Sequence, residues 1–402
     1  MMKNKLEKYL FDPSLYVIAY FFFATTTLHH EINFLLKIHI EFILFITIIL
    51  TVIRKGISFN DHNFWKISLF SMILILIPLI SSVLNYEYAS IINDGEYSTY
   101  FQTMILLPFL YSFLSNHQSR KSIYNIIVLS TFILSIYFEY RYLILNEIRD
   151  FDSRPLLKIR HGDANFLCTI LSFAIPYSIY LIQQSFKSKK YWQTIFYIIM
   201  ACNIMIATIL TQSRMGLIAL LIALGYLILK KEIKIRKYQV GLLITISALS
   251  FIFFGQSLTN RFENIADKSN ADRVLTYING FKIIKYSPYF GVGMHHAKDY
   301  FYSNTKYPNF QSEFHQLDIH NTYLKIFAEL GFFAFLTLII FLGSTMRKLL
   351  HNMKQDRYII FSSFIILIIS SLTIGIPYKD FYNIELIIIL AMAMNKSGAE
   401  NV

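Results

Sequence analysis

Charge and cysteine are both scarce in this sequence. Charged residues make up only 15% of its 402 residues, cysteines number two, and the mean hydropathy is +0.47. So little charge against 55% hydrophobic and 17% aromatic residues excludes an ordinary soluble domain and points to an integral membrane protein. Cys168 and Cys202 both sit inside apolar runs, which excludes a secreted disulfide framework and leaves them as packing residues. No small-x-small cleavage site follows the first apolar run at 15–27, so that run is expected to stay as the first span. Internal repeats, low-complexity tails and long soluble stretches at either end are also missing. The chemistry is therefore expected in membrane spans and the loops between them.

The fold class expected is all-α: a single polytopic membrane domain over 1–402 with about twelve spans. Apolar runs of suitable length lie near 14–29, 34–53, 64–85, 99–115, 122–145, 164–185, 191–211, 214–230, 238–255, 322–346, 358–377 and 382–395. Pro108 interrupts the run at 99–115. The net charge of +12 would suggest nucleic acid in a soluble protein, but here the basic residues cluster in short gaps between apolar runs and read as topology signals. With the N-terminus inside, Lys3, Lys66, Arg120, Lys190, Lys237, Lys348 and Arg357 fall in cytoplasmic gaps. Glu31, Asp94, Asp150, Asp163, Asp272 and Asp318 fall on the other side. Both termini are then cytoplasmic, and no nucleic-acid partner is expected.

One polar interval, 256–321, is a large outer loop between the ninth and tenth spans. Within it, 271–286 reads as an amphipathic helix, with Val274, Leu275, Ile278 and Phe281 near one face and Arg273, Asn279 and Lys282 near another. Such a helix can lie on the membrane or on the protein. Pro288 ends it, and Gly291 and Gly293 permit a turn closed to other residues. The loop closes on Asp318, His320 and Asn321 at the mouth of the next span, where Lys325 and Glu329, four apart, can pair on one helical face and brace the helix. Arg214, after Thr211-Gln212-Ser213, opens the eighth span on the same outer side. A guanidinium there is an interfacial anchor or a partner for an anionic ligand. His295 and His296 are adjacent and have no carboxylate at ligand spacing, so no metal site and no cofactor is expected.

Taken in order, these stretches resemble the O-antigen ligase and polymerase superfamily of bacterial membrane glycosyltransferases. The resemblance rests on Thr211-Gln212-Ser213-Arg214-Met215-Gly216, on Arg273 ahead of Ser287-Pro288-Tyr289-Phe290-Gly291-Val292-Gly293, and on His320-Asn321 followed by Glu329-Leu330-Gly331. Asp163-Ala164-Asn165 adds to it, and the matches run over about 160–340. Ala334 stands where the ligases often have glycine, threonine or tyrosine, and polymerases share most of the pattern.

The resemblance implies a donor glycan on undecaprenyl pyrophosphate, an acceptor hydroxyl on a second glycan, lipid A core or another molecule, and a site at the periplasmic face of the inner membrane. On that basis Arg214 and Arg273 would stabilise the leaving pyrophosphate, and His320 would take the acceptor's proton. Ser213, Asn165, Asn321, Gly291, Gly293 and Asp318 would line the substrate site. No metal is required. A lipid-linked oligosaccharide flippase is the competing reading, weakened by the missing repeat and by polar residues gathered in one outer loop.

Overall fold

In the computed structural model the residues described are 43, 45–50, 52–54, 62–85, 95–114, 117–144, 164–230, 268–294, 296–297, 319–351, 355–374 and 380–394. All regular structure among them is helical. We number the helices α1 (His62–Leu84), α2 (Gly95–Leu114), α3 (His117–Glu139), α4 (Ala164–Lys187), α5 (Tyr191–Leu210), α6 (Arg214–Leu229), α7 (Lys268–Tyr286), α8 (Thr322–His351), α9 (Gln355–Ser370) and α10 (Asp380–Met394). A π-helical turn, Tyr140–Ile144, extends α3. Among the described residues five stretches are long and apolar enough to cross a membrane: Phe64–Leu84, Ser119–Ile144, Ala164–Lys187, Tyr191–Leu210 and Thr322–His351. Tyr100–Leu114, Arg214–Leu229 and Arg357–Ser370 are shorter apolar helices. The expected spans at 14–29 and 238–255 lie outside the described residues, as does most of 34–53.

The centre of the bundle is α4, wrapped by α3, α5, α6 and α9, and its 18-residue apolar window is 89% buried. A second group, α1, α2, α8 and α10, joins the first where α9 meets α8 and α10. Polar side chains fasten neighbours inside the apolar layer. Tyr197 donates to Asn125 Oδ1 (2.7 Å), and Ser135 donates to Asn203, whose amide donates to Glu139 Oε2 (2.6 Å), so α5 is tied to α3 at two heights.

Two prolines sit inside α1 and α2 without ending them, for a reciprocal reason. Pro108 has no N–H for the Met104 carbonyl, and that carbonyl accepts Ser71 Oγ from α1. Pro78 likewise leaves the Leu74 carbonyl, which accepts Tyr100 Oη from α2 (3.0 Å). Each helix supplies the donor that the other's proline removed. In a hydrocarbon layer, where water cannot substitute, this satisfies the backbone internally.

α8 is two helices joined at Gly331, whose φ of 81° and ψ of −175° belong to a region reserved for glycine. Straight continuation is impossible on length alone. Arg357 Nη1 donates to the Lys348 carbonyl (2.8 Å) at one end of α9, and Thr322 N donates to the Ser371 carbonyl (2.9 Å) at the other. As helix, 357–371 spans about 21 Å, whereas a straight 322–348 would span about 39 Å. The bend at Gly331 reconciles the two.

The same contacts give the bundle two distinct ends. Near Lys348 stands Lys66, and near Arg357 stands Arg120, each within electrostatic reach, which makes one end basic. At mid-height Ser362 donates to the Ala223 carbonyl of α6 (3.0 Å), and Ser363 to the Phe173 carbonyl of α4 (3.4 Å). From that level α4 and α6 run back to their first residues and α9 runs on to its last, each over about 13 Å. The N-termini of α4 and α6 therefore lie level with the C-terminus of α9, to which the N-terminus of α8 is tied. Three helix starts share the end opposite the basic one.

Candidate active site

α6 begins where it does because the chain turns sharply before it. Gln212 takes φ 54°, rare for a side chain other than glycine or asparagine, and Ser213 then caps α6 by accepting from Gly216 N (3.3 Å). The Ser213 hydroxyl itself donates to Asn165 Oδ1 in the first turn of α4 (2.8 Å). Two of the expected site residues thus touch, with Arg214 the next residue, half-buried, at the helix start. Gly216 is required by closeness: a Cβ there would lie 2.3 Å from Cys168 Sγ and 3.1 Å from Ser213 Oγ. Cys168 is fully buried in this contact, a packing residue as its setting in the sequence implied.

The second group is built on α7. This helix spans Lys268–Tyr286, and Ser287-Pro288 ends it. Its packed side differs from the apolar stripe of the sequence. Thr276, Gly280 and Ile283 are the buried positions, while Val274, Leu275, Ile278 and Phe281 stay exposed. Gly280 decides this, since any Cβ there would meet Leu324 Cγ and Cδ2 at 2.9 Å, so α8 approaches most closely along that line. One helical turn after half-buried Arg273 stands Tyr277, whose hydroxyl is placed to donate to the carbonyls of His320 (3.2 Å) and Leu372 (3.3 Å). The helix that carries Arg273 is thereby fastened to the backbone of His320 through one side chain. The Asn321 amide oxygen accepts from Leu324 N (3.0 Å) and caps α8, which fixes the backbone that presents half-buried His320.

The third feature is the turn after α7, which plugs into the break in α8. In an unbroken helix the carbonyls of Ala328 and Glu329 would bond four residues on. Here Ala328 O accepts from Val292 N (3.2 Å), Glu329 O accepts from Gly293 N (2.9 Å), and Phe332 N donates to Pro288 O (2.8 Å). Gly291 and Gly331 have positive φ, and a Cβ on either would fall within about 2.3 Å of backbone atoms across the joint. Gly293 is also at positive φ, 99°. α1 seals the joint: Ser81 Oγ faces the Phe290 and Glu329 carbonyls, and Asn85 Nδ2 faces the Gly291 carbonyl (3.1 Å). Just before the break, Lys325 Nζ and Glu329 Oε1 stand 3.9 Å apart with both side chains buried, the pairing that their spacing predicts.

Residues 195–339 match the sequence model of the family described as O-antigen ligase. The match supports the O-antigen ligase superfamily as the chain's family. No curated protein sequence matches the chain. The matched O-antigen ligase stretch holds α6, α7 and the break in α8, so it contains Ser213, Arg214, Arg273, Gly291, Gly293, His320 and Asn321. Asn165 reaches into it from α4. Asp318 and His295 lie outside the described residues. Among the described residues no group of three histidine, cysteine or acidic side chains is arranged to hold a metal ion.

Tyr277, Ser81 and Asn85 were not singled out from the sequence. Tyr277 had a signal, its spacing of four from Arg273 on a predicted helix. Ser81 and Asn85 had none, because their partners are backbone carbonyls more than 200 positions away.

Proposed function

We propose that this protein is a membrane glycosyltransferase that moves a glycan from undecaprenyl pyrophosphate to an acceptor hydroxyl at the periplasmic face, acting as an O-antigen ligase. The observation that carries the reading is the gathering, at one end of the bundle, of the starts of α4, α6 and α8 in a chain matched over 195–339 to that family. Three helix N-termini put their positive dipole ends at the same end of the bundle, an electrostatic setting that favours a pyrophosphate. Arg214 and Arg273 add guanidinium forks able to hold two phosphate oxygens each. The opposite, basic end faces the cytoplasm in this reading, as positive residues do.

The acceptor oxygen attacks the anomeric carbon, the bond from that carbon to the pyrophosphate oxygen breaks with its electron pair going to the pyrophosphate, and His320 takes the acceptor's proton. Displacement from the opposite side inverts the anomeric centre. Seating the site at a membrane edge gives the polyprenyl chain a route from the bilayer. A polymerase differs only in the acceptor, a second carrier-linked glycan. The ligase assignment draws on the family description.

The test is single-turnover transfer by the purified full chain from a undecaprenyl-pyrophosphate glycan to lipid A core or to a second carrier-linked glycan. His320→Ala should lose about a hundred- to ten-thousand-fold in rate while carrier binding and melting temperature hold. Lipid translocation in liposomes with no glycan transfer would replace this reading with a flippase. Transfer only to the second carrier-linked glycan would make it a polymerase.

A further inference from the structure

The amphipathic loop helix packs on the protein by its smaller side and leaves its apolar stripe outside. Val274, Ile278 and Phe281 are 56%, 45% and 64% exposed, spaced to form one line along α7, with exposed Lys282 beside it and exposed Lys285 at its end, four residues after Phe281. The stripe does not stop at the end of the helix. Tyr286, Tyr289 and Phe290 are exposed too, and the rings of Tyr289 and Phe290 lie 6.3 and 5.8 Å from that of Phe333. Phe333 is itself exposed, and with Phe332, Leu336 and Ile340 it begins the outward face of the spanning part of α8. Exposed apolar side chains thus continue from a membrane-spanning helix, over the turn, onto α7, with Lys285 set among them.

We propose that α7 is an interfacial helix whose Val274–Ile278–Phe281 stripe is sunk into the bilayer surface, with Lys282 and Lys285 at the level of anionic lipid headgroups. Three features select lipid over other occupants. The surface is continuous with the outward face of a span, for which lipid is the solvent. Its residues are long aliphatic and aromatic side chains bordered by lysine stems, the composition of helices that lie in the headgroup boundary. The lysines complement phosphate-bearing lipids. α7 is not among the helices apolar enough to cross, so it lies along the membrane instead. Arg273 and Tyr277 lie on the flank between this stripe and the packed side, so the depth of the stripe sets the height of both at the bilayer surface. The inference stands on the exposure pattern and holds whatever reaction the protein performs.

The test uses the full chain in lipid nanodiscs, with Cys168→Ala and Cys202→Ala and single spin labels at Ile278→Cys, Phe281→Cys, Lys282→Cys or Lys285→Cys. Ile340→Cys is the lipid reference and Lys190→Cys the aqueous one. Labels at 278 and 281 should favour oxygen over a nickel chelate as the label at 340 does. Labels at 282 and 285 should shift towards the aqueous reference, as positions at headgroup level do. Nickel access at 278 and 281 equal to that at 190 would place the stripe in water and overturn the proposal. Exclusion of both reagents would also overturn it, showing a protein cover from this chain or a second copy. Should the cysteine-free protein not fold, Phe281→Trp with Trp65→Phe and Trp192→Phe reports the same depth by quenching with brominated phospholipid.

Discussion

At the scale of single residues, the sharpest constraint is the glycine joint. A methyl at Gly331 would sit 2.2 to 2.4 Å from Tyr289 O, Tyr289 C and Phe290 N, all backbone, and no rotamer change relieves that. Gly331→Ala also places a side chain at φ 81°. The expected cost is roughly 3 kcal/mol or more, strain and clash together, read as a lowered melting temperature in detergent. Gly343 is the control, because nothing lies within 4 Å of its Cβ position, and Gly343→Ala should be neutral or stabilising by up to about 1 kcal/mol in a helix. Equal melting of the two variants would mean that the joint does not form. Tyr277→Phe makes a different point. It removes one hydroxyl facing two carbonyls, those of His320 and Leu372, with the ring retained, so a loss of about 1–3 kcal/mol at most is expected. If Tyr277 positions His320, kcat should fall with KM unchanged; unchanged kcat would reduce it to a fastening of the loop.

At the scale of elements, the helices were legible in the sequence wherever one helix determines its own pattern. The apolar runs near 164–185, 191–211 and 214–230 became α4, α5 and α6 almost residue for residue, and the helix expected at 271–286 is α7. What sequence periodicity does not carry is the side on which a helix packs. α7 turns its glycine line to the protein because closeness of approach, set by Gly280, outweighs the burial of Ile278 or Phe281 where lipid can take the apolar side. Pro108 was misleading for a related reason, since the donor that rescues Met104 O belongs to another helix. The break at Gly331 was visible only as a glycine within a motif; its partner turn, Gly291 to Gly293, lies 40 positions earlier. The cap of α6 gives an element-scale prediction. Ser213→Ala should cost about 1 kcal/mol through the lost cap, and Asn165→Ala should be felt at the same site. A double-mutant cycle should give coupling of about 0.5–3 kcal/mol, and additivity would show that Ser213 and Asn165 do not act together.

For the whole molecule, the consequential statement is that the starts of α4, α6 and α8 share one end, because everything proposed for Arg214, Arg273 and His320 requires a common side of the membrane. The charge pattern of the sequence implied it, and the register of α9 supplies an independent geometric reason. Ser362 and Ser363 fix α9 against α6 and α4 at mid-height, and Thr322 fixes α8 to the far end of α9. Reversing any one helix would break those bonds and leave the Ser362 and Ser363 hydroxyls or the Thr322 N–H without these partners inside the bundle, at about 1–3 kcal/mol each. Single cysteines at Met215, Lys282 and Leu372 test the arrangement beside each candidate without removing it, with Lys190→Cys and Arg347→Cys as markers of the basic end. In intact cells an impermeant maleimide should label the first three, and the last two only after permeabilisation. Labelling of each variant after denaturation separates a buried thiol from one on the wrong side. If 215, 282 or 372 reacted only after permeabilisation, the three candidates would not share a face, and a single site built from Arg214, Arg273 and His320 would be ruled out regardless of the family match.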